Sequence, residues 1–391
     1  MVWWQTTPAN GAIEGYADVV SAFPGDDVAL RVNVPSGDNY RLRIFHLDAS
    51  DNGATRLDCG APCKTHVGTP QPEATVDPET HEIRAPWSVT DTLHVGADWA
   101  PGYYVVQFAL KSGPQFDQTA WTALIVRRPR QAPPAPILVQ IPMSTSAAYN
   151  EWGGASAYVG NPWSEVVSLD RPFKNALLGG EYPILRFLMA NGFDFDIQTD
   201  LDTSADPASL QKYRVVIDAG HDEYWTQATS DAFYAAKKAG VNLVFFGAND
   251  GYWRTRLADN GRSIAIYKHG VPDPLGVTAY YRDTHPECQL IGVQHQGGSL
   301  RWPIGDYAVT ADALANRWMV GTGFKAGDVL KSLVSTEVDT QPHWQELIGQ
   351  TCPSRPVTVL FRRDSGGETE GDARAVTYVA RSESRLSLIH I

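Results

Sequence analysis

His221 and Glu223 are alternate residues in the segment Gly220-His221-Asp222-Glu223-Tyr224-Trp225. In an extended chain, alternate residues project to the same side. Glu223 can then bind a cation, and His221 can serve as a base or a second ligand. The competing reading makes His221 a satisfied, partly buried histidine and Glu223 a first-turn acid, with Asp222 or Thr226 capping the helix that follows. Two other segments share this mixture of polar, aromatic and glycine residues: Tyr149-Asn150-Glu151-Trp152-Gly153-Gly154 and Gly247 to Arg254 (GANDGYWR). Ordinary polar loops are the alternative for the set. The turn at Gly220 carries no thiol or hydroxyl, and no GxSxG occurs, which argues against an acyl-enzyme triad. No GxGxxG follows a strand, and no phosphate-binding GxxxxGK[ST] or zinc-binding HExxH is present. The remaining way to activate water is a metal held by oxygen donors.

The elements that must position these segments alternate in type. Short apolar runs at Ile137 to Ile141, Val215 to Ala219 and Val241 to Phe246 read as strands, with another at Phe193 to Thr199. Helical spacing spans Glu181 to Asn191 and Thr226 to Ala239, closed by Gly192 and Gly240. Such alternation predicts a mostly parallel sheet with helices on both faces, a three-layer arrangement like flavodoxins and amidotransferases. Ligands of such sheets lie beyond the carboxyl ends of the strands, where all three polar segments fall. Before this, Val28 to Val34, Tyr40 to Leu47, Tyr103 to Leu110 and Trp121 to Val126 read as strands separated by turns, which predicts a β-sandwich. The division is therefore 1–128 sandwich, 129–136 proline-rich linker and 137–391 α/β catalytic domain. The terminal RSESRLSLIHI carries no stop signal, and the domain is expected to continue beyond it.

Composition narrows the partners. Of 391 residues, 32 are Lys or Arg and 44 are Asp or Glu, a net charge of −12 that disfavours nucleic acid. No run of 18 apolar residues offers a membrane span. The start MVWWQTTPAN lacks the pattern of a signal peptide, which leans towards a soluble cytoplasmic protein. Cys59, Cys63, Cys288 and Cys352 lack zinc-finger spacing; Cys59 with Cys63 and Cys288 with Cys352 are the natural disulfide pairs to test.

The segments YNEWGGASAY (Tyr149 to Tyr158), GHDEYW and GANDGYWR resemble the large (beta) subunit of N,N-dimethylformamidase and its relatives. Ile13 to Val32 and WAPGYYVVQF (Trp99 to Phe108) are similar to that family's opening β-module. The likeness runs from about Ile13 to about Asp339. It implies a mononuclear iron held by two tyrosines and one glutamate. Glu223 and Tyr149 match two of these, and Tyr104 the third, with adjacent Tyr103 as the alternative. His221 and Asn249 match polar residues beside the metal, and Glu337 a further acidic position. A small second subunit is also implied as a partner, and homo-oligomerisation is left open.

The implied chemistry is coherent. A phenol has a pKa of about 10, so it becomes a ligand at neutral pH only when a strong Lewis acid displaces its proton. Fe(III) is such an acid, and two phenolates with one carboxylate cancel its charge. His221 would move the water proton, Asn249 would donate to an oxyanion, and Trp152, Trp225 and Trp253 would wall the pocket. The expected activity is hydrolysis of a small amide of formamide type. The alternatives are a related hydrolase of another amide or an ester, and a non-catalytic protein whose sandwich binds carbohydrate or another surface ligand.

Overall fold

Alternation of apolar side chains builds the N-terminal part. Val28, Leu30 and Val32 are fully buried on one face of the Asp27–Asn33 strand, and Leu42 and Ile44 on one face of Tyr40–Leu47. The computed structural model describes residues 11–57, 63–174, 180–281, 284–292, 294–295, 305–316, 319–334, 339–340, 357–359, 361–363, 379–381 and 388–390. Asp27–Asn33 lies between Glu14–Ala17 and Asp91–His94 in one antiparallel sheet. Gly102–Leu110 lies between Tyr40–Leu47 and Thr119–Val126 in the other.

Gly102–Leu110 is buried at every position because both of its faces are covered. Tyr104, Val106, Phe108 and Leu110 point into the sandwich core. Tyr103 and Val105 point the other way, into a cluster shared with the α/β part. A strand buried on one face alternates, and one buried on both reads as a continuous apolar run.

The α/β part holds four parallel strands in the order Phe195–Thr199, Ile137–Ile141, Val215–Ala219 and Asn242–Phe246. Leu388–His390, from the terminal segment, pairs parallel to the last of these, and Val379–Arg381 and Val357–Val359 extend the sheet antiparallel. The helices nearest these strands include α1 (Met143–Ala148), α2 (Glu181–Ala190), α3 (Asp200–Ala205) and α4 (Gln227–Ala239). Thr226 caps α4 through the Thr229 N–H, and Gly240 ends it at φ 91°. Leu138, Val216, Leu243 and Phe245 on one face of the sheet cluster with Ala232, Phe233 and Ala236 of α4. Val139, Ile141, Ile197, Ile217 and Ala219 on the other cluster with Leu185 and Leu188 of α2 and with Trp121, Ala123 and Ile125 of the sandwich. Helices thus lie on both faces, α4 on one and α2 on the other, and the sandwich shares the face of α2. The molecule is a mixed α/β protein of many strands in several sheets and few helices.

The chain between the two parts is pinned. Arg127 meets Asp202 at 3.0 Å, and Arg128 bonds both Asp194, at 2.6 Å, and Asp196. A further sheet joins Val166–Ser168, Ser263–Ala265, Trp253–Ala258 and Tyr224–Thr226. Cys63 and Cys288 are both disulfide-bonded; Cys59 and Cys352 lie outside the described residues. Among the described residues no helix is long and apolar enough to cross a membrane.

Candidate active site

α1 connects the first strand of the parallel sheet to the loop that carries Tyr149. Its start has no side-chain cap of its own. Asp200, at the beginning of α3, accepts the N–H groups of Met143 at 2.9 Å and Ser144 at 3.1 Å instead. Asp200 is fully enclosed, and burial raises its pKa to about 6 against the pull of these donors. One turn along α1, Thr145 Oγ1 accepts the backbone N–H of Glu223 at 2.9 Å and that of Tyr224 at 3.3 Å. The Thr145 carbonyl accepts the N–H of Tyr149 at 3.1 Å. A single residue therefore hydrogen-bonds the backbone N–H groups of both Tyr149 and Glu223.

The chain then doubles back. Gly153 and Gly154 take φ of 81° and 99°, which most side chains disfavour, and Arg171 holds the turn from inside. Arg171 is fully buried and donates to the carbonyls of Asn150, Trp152 and Ala155 at 2.9–3.0 Å. This return brings the Tyr158 ring onto Tyr149, with centroids 4.0 Å apart.

Glu223, 3% exposed, is the centre of the cluster. Tyr149 donates to its Oε2 at 2.8 Å, and Tyr158 donates to its two oxygens at 2.5 and 2.6 Å. Trp253 Nε1 donates to Oε1 at 3.0 Å. His221 Nε2 lies 3.2 Å from Oε2 and 3.4 Å from the Tyr149 hydroxyl. His221 Nδ1 meets the Ala248 carbonyl at 2.7 Å. A carbonyl only accepts, so Nδ1 carries a hydrogen, and Nε2 is the nitrogen turned towards Glu223 and Tyr149. Asn249, next to this anchor, is buried at φ 63°. The Gly220 and Gly247 turns touch: a Cβ on Gly247 would lie 2.1 Å from the Gly220 carbonyl oxygen.

Electrostatics separate the carboxylate from the phenols. Burial raises the Glu223 pKa, but hydrogen bonding and charge from His221, then Lys268 and Tyr158, outweigh it, and the carboxylate lies below its ordinary value. Tyr149 is pushed far above the usual phenol range by burial, then by Glu223 and Tyr158. Tyr158 moves the same way through burial, Tyr224 and Glu223. The three oxygens can nonetheless serve one cation. Cis ligands on a metal with bonds of about 2 Å stand about 2.8 Å apart, close to the spacings here. Among the described residues no group of three or more His, Cys, Asp and Glu side chains could hold a metal; the donors at Glu223 are mainly phenolic.

Of the residues singled out in the sequence, Tyr149, His221 and Glu223 converge. Tyr104 does not join them. Its ring lies between His46 and Trp99, and its hydroxyl donates to the Ala100 carbonyl at 2.8 Å. Strand alternation sends it into the sandwich core, while Tyr103 faces the seam between the two parts. The second phenol at Glu223 is Tyr158, nine residues beyond Tyr149 in the YNEWGGASAY segment. Glu337 lies outside the described residues. The expected tryptophan wall is corrected too: Trp253 touches Glu223, but Trp225 stacks on Phe233 and Trp152 donates to Glu14.

Fold and cluster together define a sandwich-plus-α/β protein with a buried phenol–carboxylate–imidazole site on strand-end loops. The chain belongs to the N,N-dimethylformamidase beta subunit-like, C-terminal family, whose sequence model matches residues 41–387. It is 32% identical over 104 residues to an N,N-dimethylformamidase beta subunit from Alcaligenes sp, covering 26% of this chain and 13% of the relative. It is 32% identical over 77 residues to the N,N-dimethylformamidase beta subunit of Paracoccus aminophilus, covering 19% and 10%. The chain thus matches about an eighth or less of these curated relatives' length. A solved family 123 glycoside hydrolase from Clostridium perfringens aligns over 66% of this chain and 52% of its own at 8% identity and TM-score 0.16, which carries no argument.

Proposed function

We propose that this chain is a hydrolase of small amides of formamide type, with Tyr149, Tyr158 and Glu223 holding a single ferric ion. The convergence of two phenols on one buried carboxylate supports this reading, because all three oxygens become hard anionic donors once deprotonated. Bound there, iron would act as a Lewis acid towards the amide carbonyl and water. His221, held through Nδ1, keeps Nε2 at the same oxygens, and we assign it the transfer of a proton between water and the leaving amine. Asn249 is assigned to the developing oxyanion. Trp253 holds one oxygen of Glu223 and shields it from water. The relatives are beta subunits by name, and we carry over a second subunit as a partner.

The test is metal analysis and visible absorption of the wild type beside Tyr149→Phe, Tyr158→Phe, Glu223→Gln and Tyr104→Phe. One iron per chain and phenolate-to-iron colour are expected, lost together with formamide hydrolysis in the first three variants and retained in Tyr104→Phe. A colourless, iron-free wild type, or full iron in Glu223→Gln, overturns the proposal.

A further inference from the structure

The described structure brings one lysine into the aromatic cluster around Glu223, and no pattern in the sequence marks it. Lys268 follows the Ser263–Ala265 strand. The Glu165 carbonyl accepts the N–H groups of Ile266 at 2.8 Å and Tyr267 at 3.2 Å, and Tyr267 takes φ 46°. This turn carries the Lys268 ammonium inward. Nζ stands 3.2 Å from the Tyr158 ring centroid, 5.2 Å from that of Tyr224 and 5.7 Å from that of Trp253. It donates to the Tyr224 hydroxyl at 2.5 Å, and Tyr224 donates to the Tyr158 hydroxyl at 2.6 Å. Tyr158 in turn donates to Glu223.

The ends of this chain fix its polarity. An ammonium has donors and no acceptor, and a carboxylate accepts only. The Tyr224 oxygen accepts from Lys268, its own hydrogen is donated to Tyr158 with Glu223 also in reach, and the Tyr158 hydrogen points at Glu223. A donor is therefore aimed at the Tyr158 oxygen whether or not that oxygen carries its proton. Taking an ammonium from water into a ring-lined setting is costly, and apolar residues of similar volume often pack such places as well or better. Cation–π attraction to three rings and the nearby carboxylate offset that cost.

We propose that Lys268, acting through Tyr224, is a positioning residue that orients the Tyr158 oxygen for metal binding. This role rests on the iron site proposed above. The variants are Lys268→Met, Lys268→Arg, Tyr224→Phe and the double variant Lys268→Met/Tyr224→Phe. Lys268→Met is expected to shift the phenolate-to-iron absorption maximum and to lose iron to a chelator about tenfold or more faster, the effect of one charged hydrogen bond. Tyr224→Phe should shift the band in the same direction, the double variant should add little, and Lys268→Arg should restore much of the wild-type band. A folded Lys268→Met with unchanged absorption and iron retention overturns this role and leaves the iron site standing. If the wild type holds no iron, the iron site fails instead. The chain is then read in metal-free protein by a double-mutant cycle of Lys268→Met and Tyr158→Phe in urea: coupled stabilities support it, and additive ones overturn it.

Discussion

Thr145 Oγ1 is a shared acceptor for Glu223 and Tyr224, and it lies on the helix whose last turn ends at Tyr149. Thr145→Val keeps the shape and removes the acceptor, leaving two enclosed N–H groups unpaired. A loss of about 1–3 kcal/mol is expected in urea unfolding. Amide hydrolysis should fall more than stability alone explains, because Tyr149 and Glu223 lose their common reference point. Unchanged activity in a destabilised Thr145→Val would show that the two residues are positioned independently.

His221 approaches the phenol–carboxylate cluster without belonging to the proposed ligand set. His221→Gln should retain iron and colour while hydrolysis drops about 100-fold to 10,000-fold, the usual worth of a positioned general base. Iron content and kcat measured on the same preparation check this. Loss of the metal along with activity would instead make His221 a ligand.

Arg171 serves three carbonyls of the loop that returns Tyr158 to Tyr149, and burial lowers its pKa to about 10, so it stays charged at neutral pH. Arg171→Lys keeps a charge but not the planar fork that reaches all three. Destabilisation of about 3 kcal/mol or more is expected, with the urea midpoint as the measure. Iron retention should fall with it, since the Gly153–Gly154 turn would loosen.

Asp273 tests acid stability outside the phenol–carboxylate cluster. Burial opposes its charge, but Arg256 at 2.9 Å and the N–H groups of Leu275, Thr278 and Val277 prevail and hold its pKa well below the ordinary carboxyl value. A depressed folded pKa contributes stability that is complete above the unfolded value of about 3.9 and is lost as pH falls below it. Asp273→Asn should therefore be less stable than wild type at pH 7, by about 1–3 kcal/mol. The difference in Tm should shrink between about pH 4 and pH 2. A constant difference across that range would show that Asp273 contributes through shape alone.

Much of the fold was legible because local rules decide it. Apolar runs ending in polar glycine-rich turns placed the parallel strands, and Thr226 and Gly240 marked the limits of α4. Tyr149, His221 and Glu223 stood out because they lie on strand-end loops. Tyr158 has a sequence signal of its own: it closes the same segment as Tyr149, beyond two glycines suited to a reversal. Tyr104 drew attention through its place in PGYY, yet one step of strand register turns it into the sandwich core.

The sequence by itself determined the alternation of elements, the polar loops at their ends and three of the residues that meet there, Tyr149, His221 and Glu223. Only the tertiary structure decided which second phenol reaches Glu223, that the sandwich covers part of one face of the α/β sheet, and that Lys268 stands behind Tyr158. The reason is physical. Periodicity and turn chemistry act over a few residues, whereas the contacts of Tyr158 and Lys268 join residues 44 to 66 positions apart in sequence, between elements whose packing no local pattern encodes.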